Sequence, residues 1–318
     1  MQEEFLKIPV IVIFAPTATG KTALTLKLFG KSGHSFFNGK AELISADSLQ
    51  AYKDMNIGTA KPSKDELAEL KTHLIDIHTF DEVYGVSEFV EKADFLARKI
   101  YSEKKIPVIQ GGTGFYIRNF ILGLPETPES SLEVRESLKE KLKVFGKEAL
   151  YSELQKIDPE SAEKIHINDE YRILRALEIF YSSGKKRSSF NQNKSRTSDF
   201  DYKIIILERS REDLYKRINS RVDLMFEEGL KNEIEFLKNS GAEKSSPGMH
   251  GIGYREWFEY SDENVIREKI KQNTRKYAKK QYTFVKNLPN SIVINADDDD
   301  DSVLERLSSE IFPFFQKI

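Results

Sequence analysis

At 318 residues, with 49 Lys and Arg against 51 Asp and Glu and no cysteine, the chain can bury a large apolar core but cannot form disulfides or thiolate metal sites. The near balance of charge excludes a partner recognised by net charge alone, so any basic surface must be local. The longest apolar run, around residues 8–15, is far shorter than a bilayer span, and the acidic start lacks the basic flank of a secretory signal; a cytoplasmic protein without a membrane partner is expected.

The first element in chain order is the continuous, β-branched run Ile8–Phe14, which reads as a strand buried on both faces. Similar runs follow at residues 41–46, 73–77, 106–110, 202–207 and 291–295, with helical patterns at 22–29, 87–101 and 212–239 between them. That alternation predicts an α/β fold, a parallel sheet flanked by helices. Between 124 and 202 the pattern changes. Pro125 and Pro128 open a stretch of helical spacing, so residues 125–201 are expected to form an inserted helical domain within a core of 1–124 and 202–318. The end of that stretch carries Lys185, Lys186, Arg187, Lys194 and Arg196 among polar residues and reads as a basic loop. A second basic segment, 266–286, holds Arg267, Lys269, Lys271, Arg275, Lys276, Lys279, Lys280 and Lys286 against one acid, Glu268. The five aspartates at 297–301 read as a solvated loop before a last helix.

The segment after the first strand, Ala15, Pro16, Thr17, Ala18, Thr19, Gly20, Lys21 and Thr22, has the strand–turn–helix setting that gives a Walker A pattern meaning. Its N–H groups would cradle a di- or triphosphate, Lys21 would add a full positive charge, and the Thr22 hydroxyl would ligate Mg²⁺, whose other sites go to phosphate oxygens and water. Ala15 stands where the pattern has glycine, so it is expected to keep ordinary β-like dihedrals. Such a loop alone leaves kinases, ATPases and GTPases open. At the end of the second strand, Asp47 and Ser48 sit where open α/β sheets bind ligands; Asp47 reads equally as a general base, a Mg²⁺ partner or a helix cap.

Asp47 to Tyr52, followed by the run Met55 to Pro62 with its Gly58-Thr-Ala-Lys-Pro core, resembles the signature of the tRNA dimethylallyltransferases, a P-loop NTPase-like fold with a helical insertion. Further segments agree in order: 73–76, the Gly-Gly-Thr-Gly run at 111–114, 168–178, Arg217 with Arg221, 253–255 and 277–284. The likeness covers about residues 11–285. Departures are Ala15 for Gly, Thr19 for the usual Ser, Ile167 for a frequent Pro and Phe284 for a common Trp. The absence of cysteine suits the bacterial form, since eukaryotic relatives carry a Cys-containing zinc finger.

The resemblance implies transfer of a dimethylallyl group from its pyrophosphate to the exocyclic amine of the adenosine 3′ to the anticodon. The loop of 15–22 would hold the leaving diphosphate with Arg217 and Arg221, Asp47 would be the base, and Thr113 would hold the target base or the reacting centre. Asp47, Ser48, Leu49, Gln50, Thr113, Arg135, Tyr171, Arg172, Ile173, Leu174 and Arg175 would contact the tRNA anticodon stem-loop, and the basic segments would supply phosphate contacts. The chain is expected to act as a monomer. The adenosine must leave its stack, at a cost of roughly a few kcal/mol. His73 reads as structural, and no pair among His34, His73, His78, His166 and His250 has metal-ligand spacing. The rival readings are an isopentenyltransferase acting on free AMP or ATP, a P-loop small-molecule kinase, and a noncatalytic RNA-binding module.

Overall fold

Strand-forming runs and amphipathic stretches alternate along the chain as a doubly wound α/β protein requires, and the computed structural model describes residues 7–125, 127–128, 131–190, 200–286 and 288–318. The first half runs β1 (Ile8–Phe14), α1 (Lys21–Phe29), β2 (Ala41–Ser45), α2 (Lys64–Glu69), β3 (Thr72–His73), α3 (Val86–Ser102), β4 (Ile106–Gly111) and α4 (Gly114–Leu122). Three helices follow, α5 (Leu132–Ile157), α6 (Pro159–Lys164) and α7 (Glu170–Ser183). The chain then returns through β5 (Phe200–Glu208), α8 (Arg211–Glu227), α9 (Leu230–Asn239), α10 (Glu256–Glu259), α11 (Glu263–Val285), β6 (Ser291–Asn295) and α12 (Asp300–Phe315).

All six strands join one parallel sheet in the order β3-β2-β4-β1-β5-β6. β1 lies between β4 and β5, which is why it carries apolar side chains on both faces. On one face Ile11 and Ile13 pack with Leu24 and Leu28 of α1 and with Leu307, Ile311 and Phe315 of α12. On the other, Val10, Val12 and Phe14 are fully buried, and the Phe14 ring meets Tyr282 edge-on. Each such side chain contributes about 1.5–3 kcal/mol through burial. The sheet order reverses direction from β1, so the carboxyl ends of β1, β2 and β4 converge on one edge.

Two elements differ from the sequence expectation. The strand expected at 73–77 is reduced to Thr72–His73, because Leu74 and Asp76 take left-handed φ of 64° and 55° and turn the chain away from β2. The helix expected at 212–239 is two helices, broken at Gly229, whose φ of 97° no helix admits. The aspartate run does two jobs: Asp299 caps α12 by accepting from the Ser302 N–H at 3.0 Å, and Asp297 accepts from the Ser210 N–H at 2.8 Å. His73 is held by Glu42, a carboxylate in β2 that also binds Lys105 and Lys71. Burial favours a protonated Glu42, but its hydrogen bonds with Lys105, His73 and Lys71 outweigh burial and hold the carboxyl down at about 2.

Two compact units make up the chain, Met1–Ile121 with Thr197–Ile318, and Leu122–Arg196. The described secondary-structure elements of the second are all helices, around a core of Leu138, Leu150, Leu154, Ala162, Ile165, Ile173, Ala176 and Leu177. Its long helix α5 kinks at Gly146 (φ 77°), and Asp158 both caps α6 and accepts from the Ser188 N–H at 2.9 Å. Lys194 and Arg196 of the expected basic loop lie outside the described residues. No helix among the described residues is long and apolar enough to cross a membrane.

Candidate active site

The loop between β1 and α1 leaves the sheet beside the end of β4, where the Ala15 N–H donates to the Gly111 carbonyl at 3.3 Å. Ala15 stays out of the left-handed region, as expected; the left-handed residues of the loop are Ala18 (φ 64°) and Gly20 (φ 99°). A non-glycine residue in that region costs about 1–3 kcal/mol, a strain found where a loop is shaped for a ligand. Thr19 is fully buried and closes the loop through its hydroxyl, which donates to the Pro16 carbonyl at 2.9 Å. No side chain caps α1 at Gly20, which leaves first-turn N–H groups and the positive end of the helix dipole open to an anion.

Lys21 and Thr22, on that first turn, line an open cavity of 520 Å³ with Ala18, Gly20, Arg217 and Arg221. Two arginines brace the loop from α8 and its approach. Arg217 donates through Nε to the Ala18 carbonyl at 2.9 Å, and Arg209 reaches the Thr19 carbonyl through Nε at 3.4 Å and Nη2 at 3.3 Å. Desolvation lowers the Lys21 ammonium from 10.5 to about 8; Asp47 opposes the shift and the neighbouring Arg221 adds to it. Burial likewise lowers the Arg221 guanidinium, against the pull of Asp47. Lys21, Lys216, Arg217 and Arg221 line this cavity against one carboxylate, Asp213, an excess of positive charge that suits a multiply charged anion.

Asp47, Ser48, Leu49 and Gln50 follow β2 on the same sheet edge. Asp47 Oδ1 accepts from the Leu49 N–H at 3.0 Å and the Gln50 N–H at 3.4 Å, which closes an Asx turn; no helix starts there, so the carboxylate braces a turn and not the helix cap that was one of its expected roles. Asp47 Oδ2 makes no hydrogen bond among the described residues, leaving one oxygen for other chemistry. Thr113 packs next to it. Its N–H donates to the Ala46 carbonyl at 3.1 Å, its hydroxyl accepts from the Ser48 N–H at 3.1 Å, and the Tyr277 hydroxyl lies near it. Such closeness needs glycine at 111, where a Cβ would stand 2.1 Å from the Ala46 carbonyl oxygen.

A second cavity, of 490 Å³, opens from this edge. Asp47, Ser48, Thr59, Arg221 and Tyr277 form its polar end, while Tyr116, Ile218, Val222, Met225 and Ile270 form an apolar wall. Arg221 borders both cavities. Burial, reinforced by the Asp47 charge, pushes the Tyr277 hydroxyl up to about 12, so it stays a neutral hydrogen-bonding group. The structure thus brings Asp47, Thr113, Arg217, Arg221 and the loop of Ala15–Thr22 to one sheet edge.

Three participants carried no assigned role in the sequence reading. Gln281 is buried on α11; its Nε2 donates to the Gly112 carbonyl at 2.6 Å and its Oε1 accepts from the Thr17 N–H at 3.4 Å, tying the phosphate loop to the Gly-Gly-Thr-Gly turn. Tyr277, one helical turn earlier, and Arg209 are the others. Their partners lie up to 264 residues away in sequence, so only the family likeness at 277–284 marked that stretch.

The remaining predicted contacts lie on the helical unit. Arg135 and Arg175 both bind the buried Glu178, at 3.2 and 3.3 Å, and Arg175 also donates to the Pro128 carbonyl at 3.3 Å. Tyr171 is 79% exposed, and Arg172 is exposed beside Asp169 at 3.2 Å. Ile173 is instead 1% exposed and belongs to the unit's core, so its side chain offers no surface, and the partly buried Leu174 packs against that core; the outward positions of the run are Tyr171 and Arg172, with Arg175 at the edge. Of the basic residues on α11, Lys271 pairs with Asp223 at 2.8 Å, Arg267 lies over Phe226, and Arg275 binds Asn219. Lys276, Lys279 and Lys280, one exposed stripe at helical spacing, have no ion pair among the described residues.

Known proteins resemble this chain along most of its length. The IPP transferase family model matches residues 50–288. A tRNA dimethylallyltransferase of Acetivibrio thermocellus is 40% identical over 316 residues, 96% of this chain and 98% of the relative. One from Halothermothrix orenii is 42% identical over 282 residues, 86% of this chain and 83% of the relative. Among solved structures, a tRNA isopentenylpyrophosphate transferase of Bacillus halodurans superposes with a TM-score of 0.70 at 32% identity over 98% of both chains. A eukaryotic dimethylallyltransferase acting on tRNA superposes with a TM-score of 0.81 at 28% identity, over 96% of this chain and 79% of the other. On fold, site and likeness together, the chain belongs to the IPP transferase family, alongside these tRNA dimethylallyltransferases.

Proposed function

We propose that the protein transfers the dimethylallyl group of dimethylallyl pyrophosphate to the exocyclic amine of the adenosine 3′-adjacent to the anticodon in tRNA, releasing pyrophosphate. The observation that carries the reading is the meeting of two cavities at Arg221 beside Asp47, one floored by a cationic phosphate loop and the other half polar, half apolar. A plain NTPase would not need the second, and a kinase would need it for a polar phosphoryl acceptor; its apolar wall instead suits a transferase joining an allylic diphosphate ester to a nucleoside.

In the reaction the allylic C–O bond breaks, its electron pair leaves with pyrophosphate, and a C–N bond forms to the adenine amine. Negative charge grows on the leaving group where Lys21, Arg217, Arg221 and the N–H groups of the Ala15–Thr22 loop converge. Asp47 Oδ2 takes the proton that the nitrogen loses, while Thr113 and Tyr277 offer hydroxyls to the base. The apolar wall of Ile218, Val222 and Met225 suits the C5 tail or the flipped base and keeps water from the allylic carbon.

The residues fit Mg²⁺. Thr22 offers a hydroxyl beside Lys21, and the described residues hold no cluster of three or more His, Cys, Asp or Glu able to bind an ion unaided, so its other ligands would be diphosphate oxygens and water. Bound there, Mg²⁺ would neutralise charge on the diphosphate. Asp47, Ser48, Leu49 and Gln50, with Arg135, Tyr171, Arg172 and Arg175, are the proposed contacts for the anticodon stem-loop, and Lys276, Lys279 and Lys280 for phosphates; the setting is the cytoplasm and the working form a monomer. Nuclease digestion and mass spectrometry of reacted tRNA test the reading: a C5 addition on the adenosine after the anticodon supports it, and an addition elsewhere or none refutes it.

A further inference from the structure

Beside the site, three successive backbone N–H groups of one loop are held by a carboxylate that lines neither cavity. Glu233 of α9 accepts from the N–H groups of Asn56 (2.8 Å) and Ile57 (2.7 Å) through Oε2, and from Gly58 (3.1 Å) through Oε1. The Tyr254 hydroxyl, fully buried, donates to Glu233 Oε1 at 2.7 Å, and its ring lies against Gly58. The fit excludes a side chain at 58, where a Cβ would stand 2.6 Å from the tyrosine ring. A carboxylate gathering three backbone donors and a phenol is a rigid clamp, because charge-assisted bonds are roughly twice as strong as neutral ones.

The clamped loop does not end in solvent. Its next carbonyl, of Thr59, accepts from Arg221 Nη2 at 3.2 Å and from Gln50 Nε2 at 3.4 Å. Gly58 and Thr59 also form part of the second cavity's wall. Arg221 has no carboxylate within ion-pair distance among the described residues, so the Thr59 carbonyl is what fixes its fork between the two cavities.

We propose that Glu233 is a positioning residue for the transfer: through the Asn56–Thr59 loop it fixes the carbonyl that aims Arg221 at the leaving diphosphate. The proposal rests on the transferase reading given above. Without the carboxylate, the three N–H groups lose their common acceptor, the Thr59 carbonyl moves, and Arg221 swings off the position where charge develops.

The test is a double-mutant cycle in single-turnover transfer from dimethylallyl pyrophosphate to tRNA, with Glu233→Gln and Arg221→Ala made singly and together, and KM for each substrate and melting temperature recorded. Glu233→Gln is expected to slow transfer by about 10–100-fold, as displacements of about 1 Å do, with KM for tRNA changed less than about threefold. On Arg221→Ala the same change should cost less than about threefold more, because the two residues act through one contact. A loss that multiplies in full on Arg221→Ala, or an unchanged rate, overturns the inference while an active wild type leaves the transferase reading standing. A wild type that transfers nothing overturns both. If Glu233→Gln does not fold, Tyr254→Phe replaces it: it keeps the carboxylate, is expected to lose about threefold when Arg221 is present, and overturns the inference if that loss persists without Arg221.

Discussion

Replacing Lys21 by methionine should make the free protein more stable while removing its chemistry. In the folded state the ammonium is lowered from 10.5 to about 8, chiefly by desolvation. Between those values the unfolded chain holds a proton that the folded one does not, so stability rises with pH across that window and is lowest, for this group, below pH 8. A full fall from 10.5 to about 8 corresponds to about 3 kcal/mol of destabilisation at neutral pH. Lys21 keeps partial solvent contact, and screening brings the expected gain for Lys21→Met to about 1–3 kcal/mol. At about 2 °C per kcal/mol for a chain of this size, the variant should melt about 2–6 °C higher at pH 7 without ligand. Differential scanning fluorimetry at pH 7 and pH 10 measures it: the advantage should shrink at the higher pH, where wild-type Lys21 is neutral. Pyrophosphate should stabilise only the wild type. A variant that melts lower than the wild type, or an advantage equal at both pH values, refutes the reasoning.

Asp47→Ala should slow single-turnover transfer by about 10²–10⁴-fold with tRNA affinity within about tenfold, and an unchanged rate removes Asp47 from the role of base. Glu42, held at about 2 by Lys105, His73 and Lys71, contributes stability above its unfolded value of 4.5 that is lost as pH falls from 4.5 toward 2, worth up to about 3 kcal/mol. Acid unfolding of Glu42→Gln should therefore lack that part of the pH dependence; a curve parallel to the wild type's contradicts it. Changing Lys276, Lys279 and Lys280 together to Gln should weaken tRNA binding and reduce its salt slope by about 2–3, whereas Lys271→Gln, whose charge is taken by Asp223, should lower stability and leave the slope alone.

The sheet was legible because its strands are short apolar runs between turn residues; Ser291–Asn295 coincides with β6, and Ile8–Phe14 with β1. The misreadings are backbone events. Nothing in His73 to Ile77 announces that Leu74 and Asp76 take left-handed φ, since apolar content reads the same in a turn and in a strand. Gly229 could have divided the helix at 212–239, but an isolated glycine is tolerated inside many helices and becomes a break only when its φ is positive. At the site, the phosphate loop was visible because Gly20, Lys21 and Thr22 are contiguous. Asp47 and Thr113 were drawn together by family likeness, and the fold shows why: β2 and β4 are sheet neighbours although 65 residues separate Ser48 from Thr113. Glu233 and Gln281 were silent because a Glu on an amphipathic helix and a Gln in a basic segment look like solvated surface until the backbone donors and acceptors they meet are known. Ile173 was misjudged for the converse reason: a contiguous run on a helix has one buried face.

The most direct test supplies the pure protein with radiolabelled dimethylallyl pyrophosphate, Mg²⁺ and, in parallel, unmodified tRNA or AMP, and counts label in each acceptor. Label in tRNA and none in AMP is the predicted result; label in AMP alone, or in neither, contradicts the account.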